Sequence, residues 1–244
     1  MDRAQRRNPD FAFGLTFCAR VEHPHRMDAI CTIVQSPIYF RRELRMTQRS
    51  HGMAHPLEEK YGLNASELLD AVNDRFRLKV ALEGAVAEVH MAKKLAALVG
   101  NGIERFVAHD RDGHSDFSLW LSGRPTPLLA ECKNVRDHDE AYRVAGKVVA
   151  YKVETQKTRA ATGDPTSRYY GIDQYHILGV CLGKKTGNWT DFLFVRTVDL
   201  RCHAKHATKL AVMQRVPLPT APDLMPWYAN LGDLLNHLSD PPCD

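Results

Sequence analysis

Two short polar clusters near the middle of the chain contain residue types that could hold a metal ion. Asp116 lies in the first cluster, and Glu131 and Lys133 lie in the second, at the end of an apolar run. Side chains alternate along a β-strand, so Glu131 and Lys133 would point to one face and Cys132 to the other. Turn residues at 122–125 favour a hairpin between the two clusters. This hairpin would bring the Asp116 carboxylate beside that of Glu131.

The chemistry expected of this arrangement is metal-assisted attack of water on a phosphorus centre. Two neighbouring carboxylates repel each other unless a cation lies between them. Oxygen ligands suit Mg²⁺, which keeps part of its hydration shell and needs few protein ligands. Lys133, beside such an ion, could orient an attacking water and help to offset the negative charge that develops at phosphorus. An exposed charged pair at the end of an apolar strand remains the alternative interpretation of Glu131 and Lys133.

A helix predicted over residues 75–99 offers a third carboxylate. One face of it carries small residues around a single acid: Ala81, Ala85, Glu88, Ala92 and Leu95. With Gly84 adjacent, this face could approach a sheet closely and deliver Glu88 to it. Glu83 follows Lys79 by four residues, a spacing that favours a surface ion pair. The alternative for Glu88 is an ordinary acid at the edge of an amphipathic helix.

The pattern of elements predicts a mixed α/β fold. Apolar runs between turn residues indicate strands at 103–108, 115–121, 127–132, 175–182 and 191–195. The segment 139–160 is expected to be helical at least at its start. Helix, strands, helix and strands in this order favour a mixed sheet with helices packed on it. We divide the chain into an arginine-rich N-terminal extension (1–70), a core (71–200) and a C-terminal extension (201–244) that could cap the core or pack a dimer.

The composition indicates a globular chain and excludes several classes. The 244 residues are 44% hydrophobic and 25% charged, which excludes disordered, collagenous and coiled-coil proteins. No stretch approaches the roughly 18 uninterrupted apolar residues of a membrane span. The first ten residues are polar and lack the apolar core of a secretory signal, so we expect a cytoplasmic protein without a membrane partner.

The positive charge is concentrated in two places. Residues 1–50 contain nine arginines, no lysine and five acidic residues, and this excess equals the formal net charge of +4. Arginine suits bidentate contacts to phosphates or guanine edges. Residues 141–170 contain six basic and two acidic residues. Both excesses favour a polyanionic partner, although a solvated basic surface would show the same pattern.

The order of these motifs resembles the PD-(D/E)XK nuclease superfamily, which includes many type II restriction endonucleases. The resemblance covers about residues 75–197, where Glu88, Asp116, Glu131 and Lys133 match the helix glutamate, the strand aspartate and the (D/E)-x-K motif. Ser115 replaces the proline of the family name. The resemblance implies a restriction-endonuclease-like αβββαβ core with helices on both faces. It also implies Mg²⁺, with Mn²⁺ as a substitute, bound by Asp116, Glu131 and the backbone carbonyl of Cys132.

A second region is similar to restriction-endonuclease-like proteins in its Q-(K/R)-T-R segment, followed by R-x-Y and an apolar strand. The resemblance implies that these basic and amide side chains hold the scissile backbone beside the active site: Gln156, Lys157, Arg159 and Arg168. Amide and guanidinium donors suit phosphate oxygens, although a solvated face is the alternative. His176 stands where the family has an acid in the later strand. Base contacts are expected from the N-terminal arginines, with two alternative sets: Arg41, Arg42, Arg45 and Arg49, or Arg3, Arg6 and Arg7.

These observations lead to the expectation of a Mg²⁺-dependent endonuclease that cuts double-stranded DNA at a specific sequence, as a homodimer matched to a palindrome. A repair or antiphage nuclease that recognises DNA structure or ends is an alternative. A DNA-binding module with an inactive nuclease site is another, and a hydrolase of small phosphoesters is a third.

Overall fold

The computed structural model describes residues 54–111, 113–137, 140–157, 161 and 163–239. This part of the chain contains five α-helices: α1 (Pro56–Tyr61), α2 (Ala65–Asn73), α3 (Phe76–Ala97), α4 (Gly183–Thr186) and α5 (Leu231–Ser239). It also contains ten strands: β1 (Ile103–Ala108), β2 (Phe117–Leu121), β3 (Leu128–Asn134), β4 (Ala141–Val144), β5 (Lys147–Glu154), β6 (Ile177–Cys181), β7 (Phe192–Arg196), β8 (Cys202–His203), β9 (His206–Leu210) and β10 (Met213–Val216).

The central sheet has five strands in the order β1-β2-β3-β6-β7. Strand β2 runs antiparallel to both β1 and β3, β3 runs parallel to β6, and β7 returns antiparallel to β6. The mixed α/β class is therefore confirmed, and each of the five strands overlaps a segment predicted from the sequence. All residues of β6 are buried, as expected for an apolar strand covered on both faces.

Helices α3 and α5 cover one face of the central sheet. Their apolar side chains join the strands in one hydrophobic cluster, which contains Ala87, Met91, Leu95, Leu231, Leu234 and Leu235 from the two helices. The α3 residues of this cluster repeat every four positions, so they form a single buried stripe along the helix. This packing fixes α3 against the strands that carry the acidic residues.

The buried side of α3 differs from the predicted one. The predicted stripe began with three residues that are exposed in the structure: Ala81, Ala85 and Glu88. Gly84 does not permit a close approach either, because a Cβ atom there would meet nothing within 4 Å. The close approach lies instead at Gly179 of β6, where a Cβ atom would stand 2.9 Å from Met91 Sδ. Alanines on several sides of α3 make its apolar face difficult to locate from the sequence.

A second sheet, in the order β10-β5-β4, covers the other face, where Val153 and Val216 share a hydrophobic cluster with Leu178 and Val180 of the central sheet. The helix expected in segment 139–160 is wrong: residues 141–154 form the β4–β5 hairpin. Its turn residues Ala145 and Gly146 have φ values of 46° and 79°, as in the type I′ turns that suit two-residue hairpins. The β-branched residues of β5 then favour a strand over a helix. In the described residues between β3 and β6 there is accordingly no α-helix, and α3 and α5 lie on the same face rather than on both.

The C-terminal part of the described chain packs against both faces of the central sheet. Leu210 and Val216 join the cluster between the two sheets, and α5 joins the cluster on the opposite face. A role of this part in a dimer stays a prediction, as do the proposed domain boundaries, and residues 1–53 of the N-terminal extension lie outside the described part. No helix among the described residues has the length and hydrophobicity needed to cross a membrane.

Candidate metal-dependent active site

The register of β2 and β3 brings the two predicted carboxylates together. Phe117 pairs with Ala130 in this antiparallel ladder, so Asp116 lies one residue beyond it, opposite Glu131. Directly opposed residues point to the same face of an antiparallel sheet. The Asp116 Oδ2 atom accepts a hydrogen bond of 2.7 Å from the backbone N–H of Cys132. The aspartate is thus tied to the backbone of the E-x-K strand itself.

Side chains along β3 alternate as the sequence predicts. Cys132 is buried in the cluster beneath α3, whereas Glu131 and Lys133 share the opposite face. There Lys133 Nζ donates to Glu131 Oε1 at 2.5 Å. The pair is not the exposed charged pair of the alternative interpretation, because Glu131 is only 3% exposed.

The two oxygens of Glu131 have different surroundings. Oε1 also accepts a hydrogen bond of 2.5 Å from the Tyr170 hydroxyl, so two donors converge on it. Oε2 is buried and has no hydrogen-bond partner in the described part of the chain. A buried polar atom without a partner carries a free-energy cost of roughly 1 to 3 kcal/mol. Together with the nearby Asp116 carboxylate, this oxygen fits a divalent cation that prefers oxygen ligands.

The electrostatics of the site also favour a cation. Burial, followed by repulsion from Glu131, raises the pKa of Asp116 to about 7, although Lys133 and the Cys132 N–H act in the opposite direction. Burial acts to lower the pKa of Lys133, but the Glu131 carboxylate, which also accepts its hydrogen bond, outweighs burial together with Tyr170 and Asp116 and raises that pKa. Lys133 therefore stays protonated, and the carboxyl groups still repel each other. A divalent cation would relieve this repulsion.

Glu88 lies at the rim of the site. It is on the exposed side of α3, yet partial burial raises its pKa. Lys133 lowers this pKa, while Glu131 and Asp110 raise it further, so Glu88 interacts electrostatically with the E-x-K residues. Asp110, just after β1, is an acid near the site that the sequence did not identify.

Glu83 is held by a different partner from the one expected. The predicted pair with Lys79 is wrong, because Glu83 Oε2 lies 2.8 Å from Lys184 Nζ. Lys184 also lies 2.8 Å from Asp137 Oδ1. The ammonium group thereby connects α3 to the end of β6 and to the segment after β3. Sequence spacing identifies possible ion pairs within one helix. It does not identify a pair with a lysine from a distant part of the chain, such as Lys184.

Tyr170 is the residue at this site to which the sequence had assigned no role. Its ring contacts Tyr175 edge-on, with centroids 5.3 Å apart. Lys133 Nζ and Lys157 Nζ lie 5.6 and 5.7 Å from the centre of the Tyr170 ring. Burial raises the pKa of the phenol, so the hydroxyl remains a donor to Glu131. The R-x-Y pattern contained this residue, but nothing local indicated its contact.

The predicted phosphate-binding residues are only partly brought together. The Lys157 N–H donates to the Arg168 carbonyl at 2.8 Å, and Arg168 Nε donates to the Lys157 carbonyl at 3.2 Å. The Gln156 side-chain amide donates to the Glu154 carboxylate, so it is engaged within the protein. The other predicted contacts lie outside the described residues: Arg159 and the N-terminal arginines, among them Arg41, Arg42 and Arg45. His176 supports the strands instead, since its Nδ1 accepts from the Leu129 N–H at 2.9 Å.

Within the described residues, no group of three or more His, Cys, Asp and Glu side chains is placed to hold a metal ion. The carboxylate set at this site is therefore the pair formed by Asp116 and Glu131, with Glu88 at its rim. Such a pair suits Mg²⁺, which completes its coordination with water.

Comparisons with protein-family models, with curated proteins and with solved structures found no match. The chemistry of the site is therefore inferred from its residues and their geometry.

Proposed function

We propose that the chain is a Mg²⁺-dependent endonuclease that hydrolyses phosphodiester bonds of double-stranded DNA at a specific sequence, in the manner of type II restriction endonucleases. The observation that carries this proposal is the buried Oε2 of Glu131, for which the described chain offers no partner, beside Asp116 on the neighbouring strand. The order of helix glutamate, strand aspartate and E-x-K supports it through the resemblance to PD-(D/E)XK nucleases.

We assign each residue of the site a role in metal binding or in hydrolysis. Oxygens of Asp116 and Glu131, with the Cys132 carbonyl, would hold the cation. When bound, Mg²⁺ would lower the pKa of a water ligand and stabilise charge on the phosphate. Lys133, kept protonated beside Glu131, would orient the attacking water and offset the developing negative charge. Glu88 at the rim would accept a hydrogen bond from a water in the site.

Substrate contacts would come from the basic groups beside this site. Lys157 lies over the Tyr170 ring, and the hydrogen bond from Arg168 Nε to the Lys157 carbonyl places Arg168 next to it. Both cations could bind phosphate oxygens on either side of the scissile bond. Base-specific contacts are proposed for the arginine-rich N-terminal extension, and a two-fold homodimer acting in the cytoplasm would match a palindromic site.

Incubation of a defined plasmid with the protein and Mg²⁺ tests this proposal. We expect discrete fragments with Mg²⁺ or Mn²⁺ and none with EDTA. Glu131→Gln should abolish the fragments, whereas the control Glu104→Gln, at an exposed position of β1, should not. A smear would favour a nuclease specific for DNA structure or ends. DNA binding without cleavage would favour an inactive binding module, and turnover of nitrophenyl phosphate alone would favour a small-phosphoester hydrolase.

A further inference from the structure

The backbone around Tyr170 is held from two sides. Tyr169 forms a bridge with Gln156, and Gly171 forms one with Lys209. The Tyr170 carbonyl itself accepts a hydrogen bond of 2.9 Å from the Leu210 N–H. The phenol therefore extends from a supported segment rather than from a free loop, and its position relative to β3 is fixed by packing.

The two carboxylate oxygens of Glu131 receive different numbers of hydrogen bonds. Tyr170 and Lys133 both donate to Oε1 at 2.5 Å, while Oε2 receives no donor from the described residues. Two donors on one oxygen restrict rotation of the carboxylate about its terminal bond. The second oxygen is thereby left in a defined direction with its lone pairs available.

We propose that Tyr170 is a positioning residue of the metal site: its hydroxyl holds Glu131 Oε1 so that Oε2 is presented to the divalent cation. This inference rests on the proposed function, because it assigns Tyr170 to the same cation site. Hydrogen bonds to ligand carboxylates orient them, and their removal typically costs about 10- to 100-fold in metal affinity. Lys133 alone would not replace the phenol when its ammonium group turns toward water or phosphate during the reaction.

The ring and the hydroxyl of Tyr170 have separable roles. The ring lies near the ammonium groups of Lys133 and Lys157, contacts that a phenylalanine would keep. Tyr170→Phe therefore keeps the ring and removes the hydroxyl that donates to Glu131. Tyr169 provides the matched control, because its ring stacks on His203 with centroids 4.7 Å apart.

The test measures Mn²⁺ binding to the full-length protein without DNA, by calorimetry or by the electron paramagnetic resonance signal of free Mn²⁺. Tyr170→Phe should weaken Mn²⁺ binding by about 10- to 100-fold, whereas Tyr169→Phe should change it by less than about twofold. Where cleavage is observed, Tyr170→Phe should lower its rate at limiting metal and recover most of it at saturating metal. Equal Mn²⁺ affinity of Tyr170→Phe and wild type would overturn the inference, and so would a wild-type protein that binds no Mn²⁺.

A second measurement keeps the test valid if Tyr170→Phe unfolds. The 3-fluorotyrosine label at position 170 retains the hydroxyl, and its ¹⁹F resonance should shift when Mg²⁺ is added, while a label at position 169 should not respond. An unchanged resonance at 170 in protein shown to bind Mg²⁺ would contradict the proposal. If Tyr170→Phe weakens Mn²⁺ binding but the wild type cuts no DNA, the positioning role stands and the proposed nuclease function fails.

Discussion

The Asp116 carboxylate accepts a 2.7 Å hydrogen bond from the backbone N–H of Cys132, the residue between Glu131 and Lys133. A side-chain oxygen thus takes the place of a backbone acceptor just beyond the β2–β3 ladder. The distance between the two acidic groups is consequently set by strand register and not by a loop. A shift of one residue would turn Glu131 and Lys133 to the opposite face.

Because Cys132 contributes its backbone to the site and its side chain to the core, Cys132→Ala should preserve activity. We expect DNA cleavage and Mn²⁺ affinity within about twofold of wild type, and a free energy of unfolding lower by about 1 kcal/mol. Urea unfolding and cleavage kinetics would measure both quantities. Loss of Mn²⁺ binding at unchanged fold would show that the thiol itself takes part.

The raised pKa of Asp116 predicts that metal-free protein loses stability as the pH rises. The unfolded value is near 3.8 and the folded value is about 7, so the folded state binds the proton more tightly. The stabilisation is complete below about pH 4 and disappears as pH rises through 7. Asp116→Asn should therefore raise the free energy of unfolding by up to about 4 kcal/mol at pH 8 in EDTA and change it little at pH 4.

Thermal or urea unfolding at the two pH values would measure this difference. The control Asp70→Asn, at an exposed position of α2, should leave the free energy of unfolding nearly unchanged at both. An Asp116→Asn variant that is less stable than wild type at pH 8 would contradict the assigned repulsion between Asp116 and Glu131.

Two glycine substitutions should have opposite effects. In Gly179→Ala the new Cβ would lie 2.9 Å from Met91 Sδ and 3.2 Å from Phe194 Cε1, and the resulting strain should cost about 1 to 3 kcal/mol. Gly84→Ala meets nothing within 4 Å on α3 and should stabilise the protein by up to about 1 kcal/mol. Denaturant unfolding would measure both. A stabilising Gly179→Ala would show that α3 packs less closely than described.

Substitutions of Glu88 and Glu83 on α3 should distinguish a residue that acts at the proposed metal site from one that stabilises the fold. Glu88→Gln should lower the cleavage rate by about tenfold, with a smaller effect than substitution of Asp116, because Glu88 lies at the rim. Glu83→Gln breaks the ion pair with Lys184 and should affect thermal stability more than Mn²⁺ affinity. Equal cleavage by Glu88→Gln and wild type would remove Glu88 from the site.

The central sheet could be predicted from the sequence because its strands are apolar runs between turn residues. The β4–β5 hairpin differs from the helix predicted at the start of residues 139–160, where Glu140 and Ala141 follow Asp139 and suit a helix. The deciding features were the turn at Ala145 and Gly146 and the β-branched residues that follow.

At the candidate site, the approach of Asp116 to Glu131 and Lys133 followed from a hairpin of short span. The contact between Tyr170 and Glu131 joins residues 39 positions apart, and no local pattern contains it. The predicted buried face of α3 differs from the observed one because the small residues of this helix lie on several of its sides. Contacts that depend on how separate elements pack were therefore beyond the reach of spacing alone.

The central claim, that Lys133 works beside a metal held by two carboxylates, is tested most directly by single-turnover DNA cleavage with Mg²⁺. Wild type is compared with Lys133→Ala and with Lys79→Ala, an exposed control on α3, and DNA affinity is measured in parallel with Ca²⁺. The account predicts that Lys133→Ala cuts about 10³-fold more slowly while its DNA affinity and the cleavage rate of Lys79→Ala stay close to wild type. Equal cleavage rates for Lys133→Ala and wild type would contradict it.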